Sequence, residues 1–300
     1  MTDTGPHAEE HPDQHADQHA DQHTDQPPWE RLAATLEPWL VEVPPGGASA
    51  GEPLVEEMAR IFDELGFILV RGALGPAQVD ELDAELVRLH TALMRGELDP
   101  RHGAAELEPP GEVIVDGLRF CNYVVYVSQA SELVDRTIRS SLISTLAPRL
   151  LGGETFFYDY DRHGVMYLDA RGASLYKGLI WHPDYESTPN LPIWPAVAFT
   201  INMDDTSPEN GFLRMLPGSH RTPPAQRPEK YRKVPGEVAV YCQRGDLMFH
   251  HSHLWHAASR PSNDDAIRRH LRGKWCSGAP VAAGAWDGRF DNSATRASGR

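Results

Sequence analysis

Cysteine is nearly missing from this 300-residue chain, which carries only Cys121, Cys242 and Cys276. These are too few and too far apart for a disulfide framework or a thiolate zinc site, so a reduced, cytoplasmic setting is expected. Basic charge is scarce as well: 28 Lys and Arg face 43 Asp and Glu, a formal net charge of -15. A nucleic-acid partner requires a basic face to neutralise phosphates, and an anionic membrane surface repels an acidic chain. Neither partner is expected. No apolar run reaches the roughly 18 residues of a membrane-spanning helix. The N-terminus opens with charge, histidine and glutamine where a secretory signal would be apolar, so export is not expected. Hydrophobic content, at 40%, is ordinary for a chain that buries a core.

Polarity is unevenly distributed. Residues 11–26 read HPDQHADQHADQHTDQ, a four-residue repeat with His11, His15, His19 and His23. Such sequence offers too little apolar surface to offset its ordering entropy. Residues 1–50 are therefore expected to be a disordered tail and linker, with VPPGGASAG (43–51) as the link. In a helix the same spacing would line the histidines along one face as a metal-collecting stripe. One catalytic domain is expected over residues 51–278, followed by a polar C-terminal tail, 279–300.

Within that domain, Leu54, Val55, Met58, Ile61, Phe62 and Leu65 recur at helical spacing, and Gly66 stops the helix. FILV (67–70) follows as a short buried strand, and residues 76–94 form a second amphipathic helix. Beyond a charged loop over 97–112, short β-rich runs take over: VIVDGLRF, YVVYVS, AVAFTINM, EVAVYC and GDLMFHH. A single helix is expected to interrupt them over 131–151. Many short strands between Gly, Pro and Asp turns predict a sandwich or barrel. The expected fold is mainly β with flanking helices, a double-stranded β-helix (jelly roll, cupin-like).

Three segments carry candidate chemistry. In Trp181-His182-Pro183-Asp184, a His and an acid two apart on an extended strand would share a face. GDLMFHHSHLWHAASRPSN (245–263) holds His250, His251, His253 and His256, and Arg268-Arg269 follow shortly after. Two histidines and one carboxylate on one face of an octahedral ion leave positions open for a chelating cosubstrate and O₂, as in non-haem iron(II) oxygenases.

In context these segments resemble the phytanoyl-CoA dioxygenase-like family of Fe(II)/2-oxoglutarate oxygenases over residues 52–278. The resemblance rests on three ordered blocks: ELGFILVRGALGPAQVDEL, then WHPD with AVAFTINMDDTSPENGFLRMLPGSHR, then GDLMFHHSHLWH with the arginine beyond it. WHPDYEST is also similar to the corresponding stretch of ectoine hydroxylases. The resemblance implies Fe(II), with 2-oxoglutarate and O₂ as cosubstrates, and hydroxylation of a small molecule in bacterial secondary or amino-acid-derived metabolism. It places His182, Asp184 and His256 as the metal ligands and Arg268 as the anchor of the far carboxylate of 2-oxoglutarate, through a bidentate fork. Arg268 lies one residue farther from His256 than the family spacing, which implies a loop longer by one; Arg269 would then face the other way. Thr200 and Asn202 would line the cosubstrate pocket. The presence of Asp184 speaks against halogenation, whose catalysts replace that acid by a small residue.

The remaining residues receive plainer readings. His250 has the strand parity of His256 but lies near the strand start, away from the metal end. It is expected, with His251 and His253, to pack around the site, His253 being the alternative to His256 as the distal ligand. Pro208-Glu209-Asn210-Gly211 and Pro217-Gly218-Ser219-His220 are turns, Trp181 is core, and Tyr185 and Glu186 could face substrate. Two other functions compete: a non-redox jelly roll that only binds metal and ligand, and a metal-handling protein acting through the histidine repeat. Arg268, as a cosubstrate anchor, argues against the first; metal titration of tail and domain separates the second.

Overall fold

The computed structural model describes residues 37–44, 51–104, 112–158, 165–171, 178–187, 189, 192–263 and 265–280. The chain divides into a unit Met1–Glu37 and a unit Pro38–Arg300, and the elements below belong to the second. The histidine repeat lies outside the described residues, as does nearly all of the C-terminal tail.

In chain order the elements are β1 (Leu40–Glu42), α1 (Glu52–Leu65), β2 (Phe67–Arg71), α2 (Pro76–Met94), β3 (Ile114–Val115), β4 (Leu118–Arg119), β5 (Tyr123–Val125), α3 (Val127–Ala130), α4 (Glu132–Ile138), α5 (Ser141–Leu151), β6 (Thr155–Phe157), β7 (Val165–Asp169), β8 (Leu179–His182), β9 (Ala196–Asn202), β10 (Leu213–Met215), β11 (Val238–Val240), β12 (Leu247–His251), β13 (His256–Ala258) and β14 (Arg269–Ser277). A large sheet runs β1-β2-β12-β9-β14-β7-β5, with β6 beside the far half of β14; a small sheet runs β11-β10-β13-β8. Apart from the parallel β1–β2 pair, these ladders are antiparallel. Together they form the jelly roll, with the helices against the large sheet.

Local chemistry accounts for the entry elements. Gly66 adopts φ 83° at the end of α1, its N–H bonds Phe62 O at 2.7 Å, and a Cβ there would collide with His220 and Leu254. Pro76 opens α2, where the Gly75 N–H donates to Gln78 Oε1 at 2.8 Å. Asp116 and Gly117, at φ 52° and 77°, make the tight turn between β3 and β4.

Period-two alternation gives the large sheet two different sides. Outward, Val197, Phe199 and Ile201 of β9, Leu247 and Phe249 of β12 and Leu271 of β14 pack with Val55, Met58 and Phe62 of α1 and Val79, Leu82 and Leu86 of α2. Their partners in sequence point inward. The all-buried run of β9 (AVAFTIN) thus serves two interiors.

Three expectations need correction. Folded sequence begins before residue 51, because β1 pairs in parallel with β2 and Trp39, Val41 and Val43 are buried. The single helix over 131–151 is two, α4 and α5, since Ser140 takes an extended ψ of 156° and restarts the helix. The strand over YVVYVS stops at Val125, where Tyr126 at φ 56° turns the chain into α3. Among the described residues no helix is long and apolar enough to cross a membrane.

Candidate metal centre

His182 and His256 sit opposite each other in the β8–β13 ladder. Their rings are 4.4 Å apart. Pro183 has no N–H to extend the ladder. The chain therefore leaves β8 at His182, and Asp184 opens a short 3₁₀ turn, Asp184–Ser187, closed by a 2.7 Å bond from Ser187 Oγ to Asp184 O. Asp184 is thus not a strand residue, and strand alternation is not what brings it beside His182. The turn brings its Oδ1 to 3.8 Å from His182 Nε2 and 3.6 Å from His256 Nε2. One donor atom from each of the three residues lies within 4.8 Å of the others. The side chains are only 13%, 11% and 5% exposed for His182, Asp184 and His256.

The donor set suits a divalent cation. His182 Nδ1 lies 2.8 Å from Ile180 O and His256 Nδ1 2.9 Å from Leu254 O. A carbonyl only accepts, so each Nδ1 carries the proton and each Nε2 keeps a bare lone pair directed at Asp184. Burial is the largest influence on both imidazoles; it outweighs the attraction of Asp184 and holds both below the usual histidine range, His256 well below. Burial opposes ionisation of Asp184, yet the Arg272 guanidinium and then His250 and His256 hold its carboxyl well below the usual carboxylate range. Two neutral imidazoles and one carboxylate remain across the neutral pH range, the protonation state that metal binding requires.

The inner side of the large sheet supplies the wall. Thr200 stands opposite Met248 on β12 and Arg272 on β14, and Asn202 stands opposite His270. Both are buried, at 7% and 4% exposure. The Asn202 amide donates to Asp246 O at 3.4 Å, which ties it to the β11–β12 turn. Arg268, one residue before β14, is buried, and a Cβ at Gly211 would collide with its guanidinium. Gly211 therefore gives the P-E-N-G turn both its φ of 88° and room for Arg268. Arg269 lies on the other side, where it pairs with Asp83 of α2 at 2.8 Å and Asp204 at 2.7 Å.

The neighbouring histidines divide. His250 is the fourth of five residues in β12, not near a strand start, and its Nε2 is 3.2 Å from Asp184 Oδ2. The parity comparison with His256 fails because the turn at 252–255 separates β12 from β13. His251 packs outward against Phe62, and His253 stacks on Tyr185 at 4.4 Å. Glu186 pairs with Arg227, and Trp181 is fully buried with its Nε1–H on Arg232 O at 3.0 Å. Sequence reasoning missed Arg272, whose Nη2 is 3.5 Å from Asp184 Oδ2. The signal was present: Arg272 stands four residues after Arg268 and has the strand parity of His270 on β14.

Comparison with known proteins bears on this arrangement. The family model for phytanoyl-CoA dioxygenase (PhyH) matches residues 62–270. An ectoine dioxygenase from Nocardia farcinica is 30% identical over 170 residues, covering 55% of this chain and 51% of that protein. Dioxygenase sphC from Aspergillus fumigatus is 23% identical over 221 residues, or 69% and 59% of the two chains. The chain thus spans about half the length of the curated relatives it matches. Among solved structures, the non-haem α-ketoglutarate-dependent carbocyclase SnoK from nogalamycin biosynthesis aligns with TM-score 0.58 and 22% identity, over 82% of this chain and 92% of that one. EctD from S. alaskensis, solved with 2-oxoglutarate and 5-hydroxyectoine, aligns with TM-score 0.54 and 19% identity, over 80% and 81%. At these identities the structures establish the shared fold.

Proposed function

Because the chain belongs to the phytanoyl-CoA dioxygenase family, we propose that it is an iron(II)- and 2-oxoglutarate-dependent oxygenase that hydroxylates an unactivated C–H bond of a small molecule. The observation that carries this reading is the buried cluster of His182 Nε2, His256 Nε2 and Asp184 Oδ1, with both Nδ1 protons committed to backbone carbonyls. These three residues are assigned as the ligands of the ion. Iron(II) with 2-oxoglutarate and O₂ supplies the oxidising power for C–H hydroxylation, with succinate and CO₂ as coproducts.

The chain's own part is binding and orientation. Arg268, sealed against Gly211, is assigned to the far carboxylate of 2-oxoglutarate, where a planar fork matches a planar acceptor. Thr200 and Asn202 are assigned to the wall beside it. The apolar outer side of the large sheet holds the metal-facing strands in register. The ectoine dioxygenase relatives support a small-molecule substrate and bacterial metabolism, and the scarcity of cysteine supports a cytoplasmic setting. We assign residues 38–278 to the catalytic domain, so a chain lacking residues 1–36 should turn over 2-oxoglutarate as the full chain does.

Anaerobically purified protein should bind one Fe(II) per chain and, on addition of O₂, convert 2-oxoglutarate to succinate. Mass analysis of reactions with candidate substrates, ectoine included, then identifies the oxidised position. Tight iron binding without any succinate would leave a metalloprotein and overturn the oxygenase reading.

A further inference from the structure

The two oxygens of Asp184 meet different neighbours. Oδ1 faces His182 Nε2 and His256 Nε2, as described above. Oδ2 instead meets His250 Nε2 at 3.2 Å and Arg272 Nη2 at 3.5 Å. His250 stands on the inner side of β12 opposite Ala198, and Arg272 on the inner side of β14 opposite Thr200, so β9 spaces the two. We propose that His250 and Arg272 are positioning residues that clamp Asp184 Oδ2, confining the carboxylate to one-oxygen ligation through Oδ1. This rests on the assignment of His182, Asp184 and His256 as metal ligands.

The chemistry of His250 supports a dedicated contact. An ionised carboxylate only accepts, so His250 Nε2 donates to Oδ2. His250 is 4% exposed, and among the described residues its Nδ1 has no hydrogen-bond partner. A buried imidazole with one nitrogen unsatisfied is an unfavourable way to fill space when an apolar ring would pack there without cost. Among the described residues its one hydrogen bond is to Oδ2. An unclamped carboxylate can rotate about Cβ–Cγ and bring its second oxygen onto the ion, occupying a position that a bidentate keto acid or O₂ needs. Arg272 adds a second donor from the opposite strand, so rotation would have to break both contacts. The clamp thus preserves open coordination positions while the histidine ligands are set by their own backbone bonds.

The test is anaerobic Co(II) titration of the full chain, following both affinity and the visible absorption bands of the bound ion, which report its coordination. Asp184→Ala, His250→Leu, His250→Gln and Arg272→Met are compared, with folding checked by circular dichroism. His250→Leu should weaken Co(II) binding about 10–100-fold, the usual consequence of removing a group that orients a ligand, and alter the bands. His250→Gln, whose amide still donates to Oδ2, should recover most of the affinity and the wild-type spectrum. Arg272→Met also removes a positive charge near the ion, so its readout is the spectrum, which should change in the same sense as in His250→Leu. Wild-type spectra in both His250→Leu and Arg272→Met would overturn the proposal. If His250→Leu does not fold, an unchanged spectrum in Arg272→Met alone overturns it. Loss of binding in Asp184→Ala with unaltered clamp variants would sink the clamp and leave the metal centre standing. Wild-type binding in Asp184→Ala would instead sink the metal assignment.

Discussion

The large sheet separates two environments across the thickness of one strand. Arg268 and Arg269 are neighbours, yet Arg268 is buried against Gly211 while Arg269 joins Asp83 of α2 and Asp204 on the far side. His250 and His251 are neighbours too: the first touches Asp184 and the second packs on Phe62. The outer side is an apolar seam between sheet and helices, and the inner side gathers Thr200, Asn202, His250, His270, Arg272 and Lys274. The difference teaches that stability and chemistry are divided by strand parity, so substitutions one residue apart should fail in different ways.

The largest effect should come from the inner side. Asp184→Ala removes the only anionic donor of the cluster, and metal affinity and turnover should fall together by several orders of magnitude while the melting temperature is retained. Isothermal titration with Fe(II) or Mn(II) alongside succinate assays checks this. Full activity in the variant would show that the reacting centre lies elsewhere.

Next is the arginine pair. Losing a buried, charge-assisted fork costs roughly 2–5 kcal/mol, or about 30- to several-thousand-fold in affinity. Arg268→Ala should raise the 2-oxoglutarate KM by that order with metal binding intact. Arg269→Ala should leave KM nearly unchanged and lower the melting temperature, since it unties α2 from the sheet. The reverse pattern would place the cosubstrate on the wrong side of β14.

Leu271, between two inward residues, tests the outer side. It is fully buried in the main core, and Leu271→Ala should cost about 2–5 kcal/mol in denaturant unfolding. The KM for 2-oxoglutarate should change little in the fraction that remains folded. A pure KM defect without loss of stability would break the division between the two sides.

How much of this was legible in sequence follows from range. The helix–strand–helix entry was legible because its signals are local: apolar spacing, Gly66 at positive φ, Pro76 at a helix start. The opposite sides taken by Arg268 and Arg269 were legible from period two, although β14 itself begins only at Arg269. Where a turn intervened, parity misled. Pro183 takes Asp184 off β8, and residues 252–255 reset the direction between His250 and His256. Strand β1 was hidden because three residues carry no periodicity and its partner, β2, lies beyond a helix. The contact between Arg272 and Asp184 joins residues 88 apart and depends on where two sheets close. No local pattern encodes that.

The smallest expected effect concerns His251, the outward neighbour of His250. Burial first, then the nearby His220, His253 and His250, push its pKa from the ordinary 6.5 down to about 3. In the unfolded chain it protonates near 6.5, whereas in the folded protein it stays neutral until about 3. Between those values the unfolded state binds more protons, so this group's contribution is fully present above about pH 6.5 and is lost as pH falls towards 3. After allowance for its partial exposure, the loss at pH 4 should be about 1–2 kcal/mol. His251→Phe keeps a ring against Phe62 but gives up the bond from His253 N–H to His251 Nδ1 at 3.1 Å. The variant should therefore start somewhat less stable at pH 7 and lose less on acidification. Denaturant midpoints of the two proteins from pH 7 to 4 measure the difference in slope, which is independent of the starting offset. Parallel curves would mean that His251 is not held neutral by the outer side, and that acid sensitivity belongs to the inner side alone.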